Sequence, residues 1–191
     1  MFDNLTTYLN SLVQAAIVMG IFLAVLWVIY FVDALLFRGK LKQRFGLIPR
    51  GSFAPLRILF SPFFHVDLGH LAANSLPFFV LGTLVLSQGS TAFWLATLLI
   101  IIVGGVGVWL LGKSGTQHIG ASGLILGYFG FLLANVIFNT DLLSLVIAVV
   151  VGLLYLGLIT QIVPLKKGVS TTGHLFGFLG GVLASFLLSL L

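Results

Sequence analysis

Polar and charged side chains in this chain are confined to short breaks between long apolar stretches. Six apolar runs can be read, over residues 12–32, 68–86, 92–111, 120–138, 142–163 and 173–190. Each is close to the roughly 20 residues that an α-helix, rising about 1.5 Å per residue, needs to cross a hydrocarbon core. The runs are continuously apolar, whereas strands of a membrane barrel are about 10 residues long and alternate in polarity. The pattern therefore predicts an all-α membrane protein with six spanning helices in a single membrane domain over residues 1–191, with no soluble appendage, low-complexity tract or internal repeat. Most connections are short. The exception, residues 37–67, is rich in Arg, Lys and Phe but is broken by Pro49, Pro55 and Pro62, too often for a spanning helix. It is expected to lie as an amphipathic segment at the membrane surface.

Composition strengthens this reading. Of 191 residues 60% are hydrophobic and 7% charged, and a mean hydropathy of +1.23 lies far outside the range of soluble domains. The first run is too long for a cleaved secretory signal, and the segment before it carries Asp3 but no basic residue, so it is expected to stay in the mature protein. With no cysteine in the chain, disulfides and thiolate metal ligands are excluded. The net charge of +5 does not signal nucleic acid, because the basic residues lie beside the spans, where they set topology or touch anionic lipid.

Six spans place the starts of the second, fourth and sixth on one side of the bilayer. Those starts are the polar ones. The second opens with HVDLGHLAANS, containing His65, His70 and Asn74; the fourth with HIGASG, containing Ser122; the sixth with STTGHLFG, containing His174. The opposite ends of these helices offer much less. A serine between glycines in a span is by itself most simply a packing feature, since small residues are enriched where membrane helices meet. Ionisable residues inside a membrane segment are costly and mark functional candidates.

Spacing joins these groups. His70 and Asn74 are four apart and share a helix face, from which both can donate hydrogen bonds toward one point. Gly177 and Gly181 follow His174 at i+3 and i+7, and Gly123, Gly127 and Gly130 follow Ser122. Two glycine-lined helices can approach closely enough for a short serine hydroxyl to reach an imidazole. A serine nucleophile needs a base and donors for the oxyanion. His174 is the candidate base, and the Ser122 N–H with the side chains of His70 and Asn74 are the candidate donors. No acid is evident as a third member: the chain has no glutamate, and Asp3, Asp33, Asp67 and Asp141 are all remote from His174 in sequence. Asp67 reads as a loop or cap residue and Asp141 falls at the opposite face. The reading is a Ser-His dyad with no cofactor and no metal, since HExxH is absent and His65 and His70, five apart, share a helix face poorly. His118 reads most simply as a loop residue, and Trp27, Trp94 and Trp109 as lipid-facing or interfacial anchors.

These motifs, in this order, resemble those of the rhomboid intramembrane serine proteases over about residues 57–181. HVDLGHLAAN is similar to the family's second-helix pattern, GASG to its GxSG nucleophile motif, and GHLFGFLGG to its last-helix histidine followed by glycines. Each motif is loose alone; three in order are specific. The resemblance implies a six-helix bundle whose fourth helix begins deep in the protein at the base of a water-filled cavity. It implies Ser122 as nucleophile, His174 as general base, and His70, Asn74 and the Ser122 amide as oxyanion hole. It also implies His65 as a structural residue of the first loop, beside the motif glycines Gly120, Gly123, Gly177 and Gly181. Its substrates are transmembrane helices, entering past the fifth helix (residues 142–163) and a cap loop (residues 164–172). Two positions depart from the family pattern: Leu56 precedes Arg57 where Trp-Arg is common, and Leu126 stands where many members have a tyrosine beside the catalytic histidine. Tyr128 is turned too far round the helix to replace it.

All nine basic residues, Arg38, Lys40, Lys42, Arg44, Arg50, Arg57, Lys113, Lys166 and Lys167, fall in loops on the side of the candidate site. The positive-inside rule would turn that side to the cytoplasm; resemblance to bacterial rhomboids turns it outward, and the outward orientation in the cell membrane is the one expected here. The expected partners are transmembrane protein substrates and the lipid bilayer. The competing readings are a rhomboid-like protein that binds membrane helices without cutting them, and a small transporter, which would carry its polar residues on to the opposite face.

Overall fold

The computed structural model describes residues 2–52, 54–161 and 170–191. Six apolar helices form the bundle: α1 (Phe2–Phe31), α4 (Leu68–Leu86), α5 (Ser90–Leu111), α6 (Ser122–Phe138), α7 (Leu142–Leu154) and α8 (Thr171–Leu188), with the short helices α2 (Lys40–Phe45) and α3 (Ala54–Phe60) between α1 and α4. Four of them are long and apolar enough to cross a membrane, while α6 and α7 are shorter. The 17 residues of α6 extend about 26 Å at the usual rise.

Composition explains why α6 is central. A helix that is apolar all round has no wet face and belongs at the centre of a bundle. On α6 the run Leu124–Leu132 is wholly buried, packed against α4, α5, α7 and α8. α8 is lodged between α5 and α6, and α1 packs on α4 at the periphery. The outward faces are apolar too: Val13, Ile17, Ile21 and Val28 on α1, and Leu142, Leu153 and Leu154 on α7, are all more than half exposed. Such a surface would drive association in water and is at home against lipid acyl chains.

Several expectations are corrected. The fifth apolar run is not one helix over residues 142–163. α7 ends at Leu154, and a 3-10 segment (Leu156–Gln161) follows, closed where Leu158 N–H donates to the Tyr155 carbonyl (2.8 Å). Gly152 and Gly157 lower helix propensity through this stretch. Residues 162–163 of that run, most of the expected cap loop, and Lys166 and Lys167 lie outside the described residues.

The long connection is not simply a surface-lying amphipathic segment. Leu47, Pro49, Ser61, Phe64 and His65 are buried, because the chain from α2 to α4 folds back onto the bundle. Ile58 of α3 covers Gly105 of α5, where an added Cβ would strike it. Leu47 and His118 exchange backbone hydrogen bonds (2.9 and 2.8 Å). The Arg50 guanidinium donates to the carbonyls of Leu110 (2.7 Å) and Gly112 (2.8 Å) and to the Ser114 hydroxyl, so a cation neutralises the carbonyl end of α5. Trp27 and Trp109 are also more than lipid-facing anchors. Trp27 Nε1 donates to Ser75 Oγ (3.1 Å), fastening α1 to α4, and Trp109 Nε1 donates to the Gly51 carbonyl (3.1 Å). Trp94 is 57% exposed, as expected of a lipid-facing ring.

Candidate active site

The site sits where α4, α6 and α8 begin. Their glycines set its dimensions. A Cβ on Gly177 would overlap the Gly123 carbonyl oxygen, and one on Gly181 would overlap the Gly127 carbonyl oxygen. α6 and α8 therefore meet backbone against backbone, as small residues allow in a membrane where close van der Waals packing, not water exclusion, drives helix association. Gly130 continues the seam, within 2.6 Å of the Phe178 carbonyl oxygen for an added Cβ. Ser122, at the first turn of α6, and His174, in the first turn of α8, face each other across the top of this seam.

The result is a hydrogen bond of 2.8 Å between Ser122 Oγ and His174 Nε2. The other ring nitrogen, Nδ1, lies 3.1 Å from the Gln161 carbonyl oxygen. A carbonyl can only accept, so Nδ1 carries the proton and the lone pair of Nε2 faces the serine hydroxyl. That is the tautomer a general base requires. Sequence reasoning found no third member because it sought a carboxylate; the group present is a backbone carbonyl, on the 3-10 segment continuous with α7, and carries no side-chain signature. Tyr128 takes no part: its hydroxyl bonds Thr97 Oγ1 (2.8 Å) on α5 and its ring stacks on Phe93. Leu126, in the position of the expected tyrosine, is fully buried and lines the site cavity.

That cavity, of about 1030 Å³, is lined by His70, Asn74, Ser122, Leu126, Gln161 and His174, among others. A second, of about 70 Å³, lies beside the serine and is bordered by Ser61, His118, Gly120 and Gly173; it has room for about two water molecules. Asn74 is 8% exposed, and its buried Nδ2 has no hydrogen-bond partner among the described residues. An unpaired buried donor is costly, and here it borders the cavity that holds the serine. Asp67 caps α4 by accepting from the His70 N–H (2.8 Å). The His70 ring lies against Gly120, where an added Cβ would come within 2.5 Å of its Cε1. Gly120 also has φ +117, a conformation side-chain-bearing residues rarely adopt. Two separate constraints thus demand glycine two residues before Ser122.

His65 is 2% exposed. Its Nε2 accepts from the Ala121 N–H (3.4 Å), which ties the first loop to the turn before the serine. Burial, with the neighbouring His70 ring at 5.2 Å, pushes its pKa down to about 4, so it stays neutral at ordinary pH. Among the described residues no three His, Asp or Glu side chains converge as a metal would require. At the other end of the bundle Asn135 Nδ2 donates to Gln88 Oε1 and Ser144 Oγ, both at 3.1 Å, and Ser144 donates to Asp141 (2.6 Å). This polar cluster, unexpected from sequence, is spent on joining the turn after α4 to α6 and α7.

The rhomboid domain family matches residues 53–191 of the chain. An uncharacterized protein of Mycobacterium tuberculosis is 38% identical over 176 residues, covering 88% of this chain and 72% of its own length. An uncharacterized protein of Mycobacterium leprae is 37% identical over 140 residues, covering 69% and 55%. A Bacillus subtilis protein named "Putative rhomboid protease YdcA" is 30% identical over 125 residues, covering 64% and 62%. With a family match spanning three helix starts that meet at one cavity, and apolar helices facing outward around them, this chain is a multi-pass membrane protein of the rhomboid family.

Proposed function

We propose that the protein is an intramembrane serine endopeptidase that cuts transmembrane or juxtamembrane segments of other membrane proteins. The observation that carries this reading is the 2.8 Å contact between Ser122 Oγ and the unprotonated Nε2 of His174, beside the unpaired amide of Asn74. Ser122 Oγ attacks the scissile carbonyl carbon while its proton passes to His174 Nε2. The carbonyl oxygen becomes an oxyanion, held by the Ser122 N–H, Asn74 Nδ2 and the His70 ring. Collapse breaks the C–N bond as His174 returns the proton to the leaving amine, and water then resolves the acyl-enzyme by the same route. A general base contributes about 10²- to 10⁴-fold and each oxyanion donor about 10²- to 10³-fold, so a dyad with several donors suffices without a cofactor.

The orientation that goes with this reading turns the site to the extracytoplasmic side of the cell membrane. Three of the nine cations at this end have work in the fold: Arg50 caps α5, Arg57 donates to the Gly46 carbonyl (3.0 Å) and Lys42 to the Val66 carbonyl (2.5 Å). The place of these three beside the site thus has a reason independent of the positive-inside rule.

The test is labelling of the purified protein, in detergent and in liposomes, with a fluorophosphonate serine probe. Wild type is expected to label, and Ser122→Ala and His174→Ala are not. A chelator should leave the labelling unchanged. A folded wild type that stays unlabelled in both media would overturn the protease reading in favour of a helix-binding relative without catalysis.

A further inference from the structure

His118 stands outside the chemistry just described, yet it lies on the segment leading into α6 and bonds the N-cap of α8. Its backbone is pinned to the first loop by the paired bonds with Leu47, which leaves its ring free to bridge. Thr116 Oγ1 donates to the Lys113 carbonyl (2.6 Å), so toward His118 Nε2, 2.8 Å away, it offers a lone pair. The ring proton is therefore on Nε2 and the lone pair on Nδ1. Nδ1 lies 2.6 Å from Ser170 Oγ. Ser170 is the N-cap of α8: its hydroxyl oxygen accepts from the Gly173 N–H (3.3 Å) and its carbonyl from the His174 N–H (3.0 Å). Every donor in this chain of bonds has its own acceptor, provided that His118 is neutral, and burial lowers its pKa in the direction that keeps it so.

We infer that His118 is a positioning residue, a clamp that fixes the first turn of α8 to the segment leading into α6 and so holds His174 at bonding distance from Ser122. The glycine seam sets how closely the two helices approach, but packing along a smooth seam does not fix how far one helix has slid or turned against the other. A directional bond at the helix starts does. Ser170 caps α8 one turn before His174, and His118 lies four residues before Ser122, so the Ser170–His118 bond joins the approaches to both reacting residues. Misplacement of a reacting group by about 1 Å can cost on the order of 10²-fold in rate. The inference deepens the protease reading and rests on it for the kinetic part of its test.

Three variants separate the clamp from ordinary structure. Ser170→Gly keeps most of the capping preference of the position, since glycine is nearly as good an N-cap as serine, but removes the hydroxyl. Ser170→Thr keeps both. His118→Ala removes the other partner. Cleavage kinetics on a transmembrane-helix substrate in liposomes, with hydrogen exchange over residues 116–122 and 170–174, give two independent readouts. His118→Ala and Ser170→Gly should each lower kcat about 10- to 100-fold with little change in KM and speed exchange in both segments. Their double variant should be no worse than either alone, and Ser170→Thr should behave as wild type. Wild-type kcat in His118→Ala and Ser170→Gly would overturn the inference, as would unchanged exchange. A wild type that neither cleaves nor labels, while the two variants still loosen both segments, would uphold the clamp and sink the protease reading instead.

Discussion

Asn74 separates two ways a polar residue can be held in an apolar bundle. A buried amide placed for stability would have satisfied its donors, as Asn135 does with Gln88 and Ser144 at the far end. Asn74 leaves Nδ2 unpaired at the wall of the serine's cavity, so its benefit is expected when an oxyanion forms. Asn74→Ala should therefore lower kcat about 10²- to 10³-fold while KM changes little; a KM effect with intact kcat, measured on a transmembrane-helix substrate, would instead assign it to substrate binding. His65 carries a different signature. Its folded pKa, about 4, is below the usual value near 6.5, so the unfolded chain binds more protons as pH falls. Its contribution to stability is fully present above about 6.5 and is lost progressively down to about 4. Thermal unfolding midpoints should drop between pH 7 and pH 4.5, and drop less in His65→Gln. Equal losses in the two proteins would show that other groups drive the acid sensitivity.

Among the helices, the interface of α6 with α8 is the one whose failure would dismantle the site. Alanine is about 1 kcal/mol better than glycine inside a helix, yet at Gly181 its Cβ would collide with the Gly127 carbonyl, a backbone atom that cannot turn aside. Overpacking of this kind costs about 1–3 kcal/mol, and it would part the helices below the dyad. Gly152 on α7 is the control: its added Cβ meets only Leu133 Cδ2, at an ordinary 3.7 Å. Gly181→Ala should lower the unfolding midpoint and abolish serine-probe labelling, whereas Gly152→Ala should keep both. Sequence spacing made this seam legible, because glycines at i+3 and i+7 from a histidine are visible in one dimension. The break after α7 was not legible: the run stays apolar through Leu158 and Ile159, and only the geometry around His174 reveals that the Gln161 carbonyl is needed there.

For the molecule as a whole, orientation is the property that charge and family resemblance pull in opposite directions. The chain's lack of cysteine allows a direct experiment. Lys113→Cys, exposed at the site end, and Thr140→Cys, exposed at the other, can be probed in intact cells with a membrane-impermeant maleimide. Labelling at position 113 alone is expected for the outward-facing site; labelling at position 140 alone would place the site in the cytoplasm and give the basic residues a topological role after all.

By itself the sequence determined the membrane class and the polar helix starts that face one side, because hydrophobic run length and residue spacing are properties of a line. It also determined the pairing of Ser122 with His174, since a motif order and two glycine stripes constrain which helices can meet. Tertiary structure alone decided the tautomer of His174, the burial of the first loop, and the bond between His118 and Ser170. These depend on where backbone carbonyls and hydroxyls distant in sequence come to rest. Carbonyls are the same at every residue, and hydroxyls too common to mark a site, so neither leaves a trace in the order of side chains.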